Sequence, residues 1–281
     1  MPELPEIEVI RRDLEKEIVG RRIKDVEIRA GSNAMKIIKR HGRRKEFEAQ
    51  LVGAKVEKID RLGKRLLIDL DNARVLVVDL DSSGRLMKTS ASDDLVPHTH
   101  VVISFTIGGQ LRIVDPKLTS EVFVTPKDEL AELHALRRFE IDPLEIPLTW
   151  QSLSSLLAQR TGSMKELLVD SRFICGLGDI YSDEVLFAAG IRYDRPVNKL
   201  SSQDVRRLYR ALMETLQDAV KAGGTTWANY DFRDLQGNPG LFQLELKVYE
   251  RDGEPCRRCR SLVVKESFNG RHTYLCPKCQ S

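Results

Sequence analysis

The chain has 281 residues, 41% of them hydrophobic, which suits about two domains and excludes a globally disordered protein. Its 45 basic and 42 acidic residues leave a formal charge of +3, so any surface for a polyanion must be local. No apolar run approaches ~20 residues and the acidic N-terminus lacks a signal-peptide core, which predicts a cytoplasmic protein without a membrane span.

The N-terminus carries one unusual chemical group. If Met1 is removed, the nitrogen of Pro2 becomes a secondary amine, which once deprotonated can attack an electrophilic carbon and form an iminium. Glu3 lies beside it, where a carboxyl group could act as an acid or a base. Apolar residues then recur at helical spacing as far as Ile18, and Gly20 follows as a stop. Taken alone, these residues favour a simpler interpretation, in which the proline only starts a helix.

The pattern between Arg22 and Val124 is mostly that of strands. Val75–Leu80 is a continuous apolar run typical of a buried strand, and the apolar runs on either side of Gly108-Gly109 predict a hairpin. A short helix is expected near Glu46–Leu51. This part of the chain therefore predicts a β-rich domain led by one helix, for which a sandwich is one arrangement.

After Val124 the apolar period becomes helical. Helices are expected over Asp128–Arg138, from Thr149, over Met164–Val169 and Asp179–Ala189, and from Ser201 to Gly223. Pro143 and Pro147 indicate the linker to this second, helical domain.

Four of the five cysteines are clustered near the C-terminus in the pattern C-x₂-C-x₁₆-C-x₂-C, formed by Cys256, Cys259, Cys276 and Cys279. Two such knuckles can supply a tetrahedral shell of four thiolates to zinc. A zinc ion with four protein ligands has no open position, so we expect one structural Zn²⁺. Free or disulfide-bonded cysteines fit poorly with a chain that has no secretory signal.

The segment between the two knuckles predicts a hairpin, with strands on Leu262–Val264 and Thr273–Leu275 and a turn at Asn269-Gly270. Arg271 follows the turn directly, so its guanidinium is expected at an exposed tip, where it could grip a phosphate through two hydrogen bonds. A basic surface that is merely solvated fits the same spacing equally well.

Several stretches in matching order together resemble one protein family. They are Pro2–Glu6, Gly63–Leu67, Cys175–Glu184 with Leu186–Ile191, Gly223–Thr226 and the ribbon with Gly270–Tyr274. They are similar to the formamidopyrimidine-DNA glycosylase / endonuclease VIII family, and closer to its formamidopyrimidine branch. The resemblance implies an α+β protein, with an N-terminal catalytic β-sandwich and leading helix (residues 1–145), a helix–two-turn–helix domain (146–250) and a zinc ribbon (251–281).

The resemblance also implies a DNA-repair glycosylase with AP-lyase activity. Pro2 would attack C1′ of a damaged nucleoside and release the base, and the iminium would permit strand cleavage by elimination. Glu3 would protonate the sugar ring oxygen. Lys64 matches the family's hairpin lysine, which contacts a phosphate and assists catalysis, and Arg271 matches the arginine that clamps phosphates beside the lesion. The nucleotide must leave the base stack for this chemistry, at a cost of a few kcal/mol.

The chain departs from the family pattern in two loops that contact the DNA bases. Ser82 stands where the family has the methionine that fills the gap left by the flipped base, and Asp79 replaces a histidine in the same turn. Leu118 replaces the arginine that pairs with the orphaned base, and Thr119 replaces an aromatic wedge. Of these residues only Leu118 could intercalate, and it cannot read a base through hydrogen bonds.

A third departure lies at the phosphate site of the helical domain. Gly178 matches the glycine turn whose backbone N–H groups meet a phosphate, and Lys165 matches a lysine near that site. The next residue is normally asparagine and here is Asp179, whose carboxylate would repel a phosphate unless it is protonated or paired.

We therefore expect retained iminium chemistry and an altered choice of lesion. The expected partner is damaged or abasic DNA, including single-stranded DNA, bound by a monomer. The alternative is a non-catalytic paralogue that binds nucleic acid. The Pro2-Glu3 pair favours the enzyme, whereas the altered wedge residues and Asp179 favour the paralogue.

Overall fold

The computed structural model describes residues 2–29, 33–130, 139–145, 148–227 and 231–281, and the chain divides into two compact units. The first unit comprises Met1–Arg137 and Gly223–Gly240, and the second comprises Arg138–Ala222 and Leu241–Ser281. The boundaries of the three expected domains stay a prediction. Most of the helix expected over Asp128–Arg138 lies outside the described residues. In the described ranges, none of the helices has the length and apolarity needed to cross a membrane.

The first unit begins with helix α1 (Leu4–Ile18), as the sequence predicts. A proline in the first turn and a capping box between Glu3 and Glu6 start this helix. Its apolar face, including Leu14, is buried, and the chain leaves the helix before the positive φ of Gly20.

Two four-stranded antiparallel sheets form the body of this unit and confirm the β-rich prediction. The first has the order β1 (Ile23–Ile28), β6 (Thr99–Phe105), β7 (Gln110–Val114), β5 (Arg85–Thr89). The second has the order β2 (Val56–Leu62), β3 (Arg65–Leu70), β4 (Arg74–Asp79), β8 (Glu121–Pro126). Both sheets carry fully buried side chains, such as Ile68 and Ile113. A 3₁₀ turn (Ala34–Lys36) and helix α2 (Arg44–Leu51) connect β1 to β2.

The second unit contains four helices in its described part, which are α3 (Trp150–Leu157), α4 (Met164–Val169), α5 (Asp179–Ala189) and α6 (Ser202–Lys221). Thr149 and Ser201 cap α3 and α6 through their side chains. Gly190 ends α5 in the left-handed conformation, with a φ of 69°. Short 3₁₀ helices occupy Val197–Lys199 and Phe242–Leu244.

The zinc ribbon belongs to this second unit and contains the hairpin of β9 (Val264–Phe268) and β10 (Arg271–Leu275). The first strand was expected on Leu262–Val264, but the observed strand β9 begins only at Val264. It extends to the turn, where Phe268 lies opposite Arg271. Phe187 of α5 packs into the buried cluster of the ribbon. This packing fixes the ribbon on α5.

Candidate active site and zinc centre

Pro2 is buried just before α1 and lines a cavity of about 400 Å³ in the first unit. The ammonium Nζ of Lys64 donates a hydrogen bond to the Pro2 carbonyl oxygen at 3.3 Å. Ser82, Ser83 and Lys117 line the same cavity. The structure therefore brings the expected nucleophile and one of the altered wedge residues to a single cavity, and the hairpin lysine is bonded to the nucleophile residue.

A buried carboxylate fixes the peptide group that follows Pro2. Glu6 is fully buried, and its Oε2 accepts a hydrogen bond from the Glu3 N–H at 2.8 Å. Its Oε1 accepts another from the Thr225 N–H at 2.8 Å. Gly224 has a φ of +82°, and a Cβ there would lie 3.1 Å from Glu6 Cγ, so this loop approaches the carboxylate as only glycine allows. We infer that Glu6 positions Pro2 and Glu3. In the sequence, Glu6 is one of several acidic residues near the start of the helix, and only its spacing from Glu3, that of a capping box, points to this role.

A second network fixes the loop that carries Lys64. Glu8 is 7% exposed and accepts hydrogen bonds from Arg11 and Arg12. Arg61 pairs with Glu8 at 3.2 Å and donates to the Gly63 carbonyl at 2.8 Å. Burial alone would raise the pKa of Glu8, but the hydrogen bonds from the arginines hold it below its ordinary value. Helix α1 thus holds the residue that precedes Lys64.

The two altered wedge loops are joined to each other by hydroxyl groups. Thr119 Oγ1 lies 3.2 Å from Ser82 Oγ and 3.2 Å from Ser83 Oγ. Ser83 also donates to the carboxylate of Asp115, and the Ser120 hydroxyl donates to the Leu80 carbonyl at 3.1 Å. The residues that replace the family's wedge thus bond to one another across the two loops.

Asp115 lies at the base of this network and is fully buried. It accepts hydrogen bonds from the backbone N–H groups of Ser120 at 2.7 Å and Lys117 at 3.1 Å. Burial alone would raise its pKa, but the hydrogen bonds from Ser83 and Ser120 hold the pKa of Asp115 below its ordinary value. Leu118 stands between these groups with a φ of 57°, a strained backbone for a branched residue.

The expected phosphate residues of the second unit lie together. Gly178 is the N-cap of α5, Asp179 is its first residue, and Arg271 begins β10 just after the turn. Arg271 Nη1 lies 3.6 Å from Asp179 Oδ1, and the two side chains are 64% and 35% exposed. The carboxylate that was expected to weaken phosphate binding is therefore paired with the arginine that was expected to provide it.

Lys165 is used inside the protein. Its side chain is 1% exposed, and its Nζ donates to Asp183 Oδ1 at 2.7 Å, Ser182 Oγ at 2.8 Å and the Asp179 carbonyl at 3.2 Å. A direct contact between Lys165 and DNA stays a prediction. Such a contact would require the ammonium to leave these three partners. Its hydrogen bond to the Asp179 carbonyl suits a residue that supports the expected phosphate site from inside the protein.

Asp183 continues the network to the ribbon. It accepts hydrogen bonds from the Thr273 hydroxyl at 2.5 Å and the Tyr274 N–H at 3.0 Å. Burial raises the pKa of Asp183, while Lys165 opposes that rise. One carboxylate thus ties α4 and α5 to the strand that carries Arg271.

The four clustered cysteines form a metal site. Their Sγ atoms, from Cys256, Cys259, Cys276 and Cys279, all lie within 4.8 Å of one another, with two of the separations at 3.9 and 3.4 Å. Zinc–sulfur bonds of ~2.3 Å in a tetrahedron require sulfur separations of ~3.8 Å, so the four thiolates suit Zn²⁺. Cys175 is buried elsewhere and is not part of the cluster.

Comparisons with known proteins agree over the whole chain. Three family models match: the formamidopyrimidine-DNA glycosylase N-terminal domain (residues 1–122), its H2TH domain (139–231) and the zinc finger found in FPG and IleRS (253–281). A formamidopyrimidine-DNA glycosylase of Geobacillus kaustophilus is 40% identical over 281 residues and 100% of both chains. One of Pelotomaculum thermopropionicum is 37% identical over 280 residues, covering 100% of this chain and 99% of the relative.

Solved structures are similar over almost the same length. The FPG protein from Thermus thermophilus has a TM-score of 0.84 and 33% identity, covering 99% of this chain and 98% of the other. The complex between the Lactococcus lactis Fpg and DNA containing an abasic site has a TM-score of 0.86 and 28% identity, covering 99% of each chain.

A helix-led pair of sheets, an H2TH region and a Cys₄ ribbon define a class of zinc-containing DNA-repair enzymes. Within it, the chain belongs to the formamidopyrimidine-DNA glycosylase family, whose members are bifunctional DNA glycosylases and AP lyases. This membership confirms the predicted fold class, enzyme class and structural zinc, as well as DNA as the partner. The roles of individual residues stay predictions.

Proposed function

We propose that this protein excises damaged bases from DNA with the Pro2 amine as its nucleophile and then cuts the strand. The observation that carries the proposal is the position of Pro2 on a cavity of about 400 Å³, with its carbonyl oxygen 3.3 Å from the Lys64 ammonium. The nucleophile exists only in the form that has lost Met1, because otherwise the Pro2 nitrogen is an amide. Its attack on C1′ breaks the glycosidic bond, and the base leaves with the bonding electrons and takes up a proton.

Glu3 is the proposed acid for the next step. Glu3 directly follows Pro2 and is largely buried, with 6% of the residue exposed, so its carboxyl group is shielded from bulk water. Transfer of the carboxyl proton to the sugar ring oxygen opens the ring, and the nitrogen lone pair completes the iminium. Loss of a C2′ proton then expels the 3′ phosphate, and a second elimination expels the 5′ phosphate.

Lys64 is the proposed cationic contact next to the nucleophile. It is half-buried and follows the Gly63 carbonyl that Arg61 fixes at 2.8 Å, so its position relative to α1 is set in advance. In the second unit, Arg271 and the N-terminus of α5 at Gly178 are the proposed phosphate contacts. Asp179 borders that site, and Lys165 supports it from inside the protein through the Asp179 carbonyl.

We also propose that the base opposite the lesion is not read. The support is the hydrogen bond between the Ser82 and Thr119 hydroxyls at 3.2 Å. The two side chains in the wedge positions bond to each other instead of being directed at a base. Leu118 has no hydrogen-bonding group in its side chain. Single-stranded DNA and abasic sites, which need little wedging, are therefore the proposed preferred substrates. A monomeric state and a cytoplasmic location stay predictions.

Borohydride trapping tests the chemistry, because it reduces the iminium to a stable amine. The substrates are abasic and oxidised-base oligonucleotides, single-stranded and paired with each of the four bases. We expect a covalent adduct, and proteolysis followed by mass spectrometry should place it on the peptide that begins with Pro2. DNA binding without an adduct on any substrate would instead support the non-catalytic paralogue.

Two further comparisons test the roles of the other residues. Lys64→Ala should slow trapping about 100-fold, as misplaced catalytic groups do. The matched control Lys58→Ala removes an exposed lysine paired with Asp60 and should leave the rate unchanged. Even a weak base-specific contact changes the affinity for a base by ~5-fold. The trapping rates with the four opposite bases should therefore differ from one another by less than this factor. A larger preference for one opposite base would contradict the proposed lack of readout.

A further inference from the structure

Asp179 and Arg271 form an ion pair at the site proposed for DNA phosphate, and this inference rests on that proposed function. Arg271 Nη1 is 3.6 Å from Asp179 Oδ1, while 64% of the arginine side chain remains exposed at the hairpin tip. Asp179 Oδ1 is itself buried and accepts no hydrogen bond from any residue in the described ranges. The guanidinium of Arg271 is thus the positive charge that faces this carboxylate oxygen.

The nearby cation Lys165 does not neutralise the Asp179 carboxylate. Lys165 pairs with Asp183 at 2.7 Å, and its contact with Asp179 is to the backbone carbonyl rather than the carboxylate. The two ion pairs, Lys165 with Asp183 and Arg271 with Asp179, therefore have formal charges that sum to zero. A phosphate that approaches Arg271 meets a guanidinium already balanced by a carboxylate.

We propose that Asp179 acts as an internal competitor of the DNA phosphate for Arg271 and thereby sets the affinity of this enzyme for DNA. A phosphate and the carboxylate cannot both neutralise the guanidinium without repelling each other at close range. Binding therefore requires the Asp179–Arg271 contact to open. The arginine is exposed and its side chain is long, so this exchange needs no movement of the backbone. The competition acts on phosphates, so it weakens binding to all DNA without regard to sequence.

The test is the affinity of full-length, zinc-loaded protein for a fluorescent oligonucleotide containing tetrahydrofuran, a stable abasic analogue. Fluorescence anisotropy is measured over a range of salt concentrations. Asp179→Asn keeps the shape and removes the charge, and it should bind about five- to tenfold more tightly at low salt. The slope of log K against log salt should steepen by about 0.9, the value for one additional neutralised phosphate.

The control is Asp218→Asn, which makes the same change of net charge at an exposed pair with Lys221 on α6. It should leave affinity and salt slope unchanged. Arg271→Ala provides the second background, in which Asp179→Asn should gain less than twofold if the carboxylate acts through the arginine.

Three results would overturn the inference: Asp179→Asn binding no more tightly than wild type, Asp218→Asn showing the same gain, or an undiminished gain in the Arg271→Ala background. Borohydride trapping of the same variants separates this failure from that of the proposed function. Normal adducts with unchanged affinity reject only the competitor role of Asp179. The absence of adducts from wild type and variants on abasic DNA rejects the enzymatic function itself.

Discussion

The carboxylate of Asp183 is the point at which a single substitution should most disturb the second unit. Asp183→Asn keeps the size of the side chain and removes its charge. The side chains of Asp183 and Lys165 are both 1% exposed and lie 2.7 Å apart, so the variant leaves a lysine ammonium buried without its counter-ion. The carboxylate accepts one hydrogen bond from Thr273 and one from Tyr274 on separate oxygens. The amide of asparagine has only one acceptor oxygen, so the variant loses one of these two bonds.

The size of the effect follows from this burial. Removing one partner of a buried ion pair costs about 3–5 kcal/mol, because the remaining charge is uncompensated. For a unit of this size, which lies between 100 and 150 residues, a loss of 1 kcal/mol lowers the melting temperature by roughly 4 °C, so we expect a decrease of roughly 12–20 °C. The exposed pair of Asp170 with Arg172, at 3.0 Å, offers the matched control, and Asp170→Asn should cost less than about 0.5 kcal/mol.

Circular dichroism of the zinc-loaded full chain, followed against temperature, measures both variants. The double variant Lys165→Met with Asp183→Asn removes the uncompensated charge, so its loss should be smaller than the sum of the two single losses by more than about 1 kcal/mol. A melting temperature of Asp183→Asn within 2 °C of wild type, or strict additivity of the two changes, would show that the pair does not support the unit as argued.

Three other predictions concern the metal, a loop and pH. Chelation should release one zinc ion per chain and lower the melting temperature, and Cys175→Ser should retain the metal because Cys175 lies outside the cluster; a colorimetric zinc assay checks both. Gly84→Ala should cost more than about 2 kcal/mol in chemical unfolding, since a Cβ would lie 2.5 Å from the Leu80 carbonyl oxygen, whereas Gly42→Ala, with its nearest contact at 3.8 Å, should be nearly neutral. The lowered pKa of Glu8 means that its contribution is present above the unfolded value near ~4.3 and lost as pH falls through the folded value. The melting-temperature difference between wild type and Glu8→Gln should therefore be largest near neutral pH and shrink as pH falls below the unfolded value, and a constant difference would contradict it.

The features that sequence could predict are those with local causes. The start of α1, the caps at Thr149 and Ser201 and the turn at Asn269-Gly270 follow from residues within a few positions of one another. The cysteine spacing likewise predicts the metal site, because each knuckle is a local pair. The strand before the turn was placed too early, since hairpin pairing extends it to Phe268.

The supporting contacts of the candidate site could not be predicted in this way. The bond from the Thr225 N–H to Glu6 spans 219 residues, and the bond from Thr273 to Asp183 spans 90. Neither pairing leaves a period or spacing in the sequence. A buried carboxylate also looks in sequence like any other acidic residue on a helix, so its importance becomes visible only when its partners are known.

The departures of this chain from its family have structural compensation, and this bears on whether its site is functional. A site that has only lost its function is expected to accumulate buried polar groups without partners, each at a cost of about 1–3 kcal/mol. Here the hydroxyl of Thr119, which stands in a wedge position, bonds to both Ser82 and Ser83. The Pro2 carbonyl also keeps its contact with a lysine, which DNA binding alone does not require. These compensations favour an enzyme with altered selection of its substrate over a paralogue that has lost its chemistry.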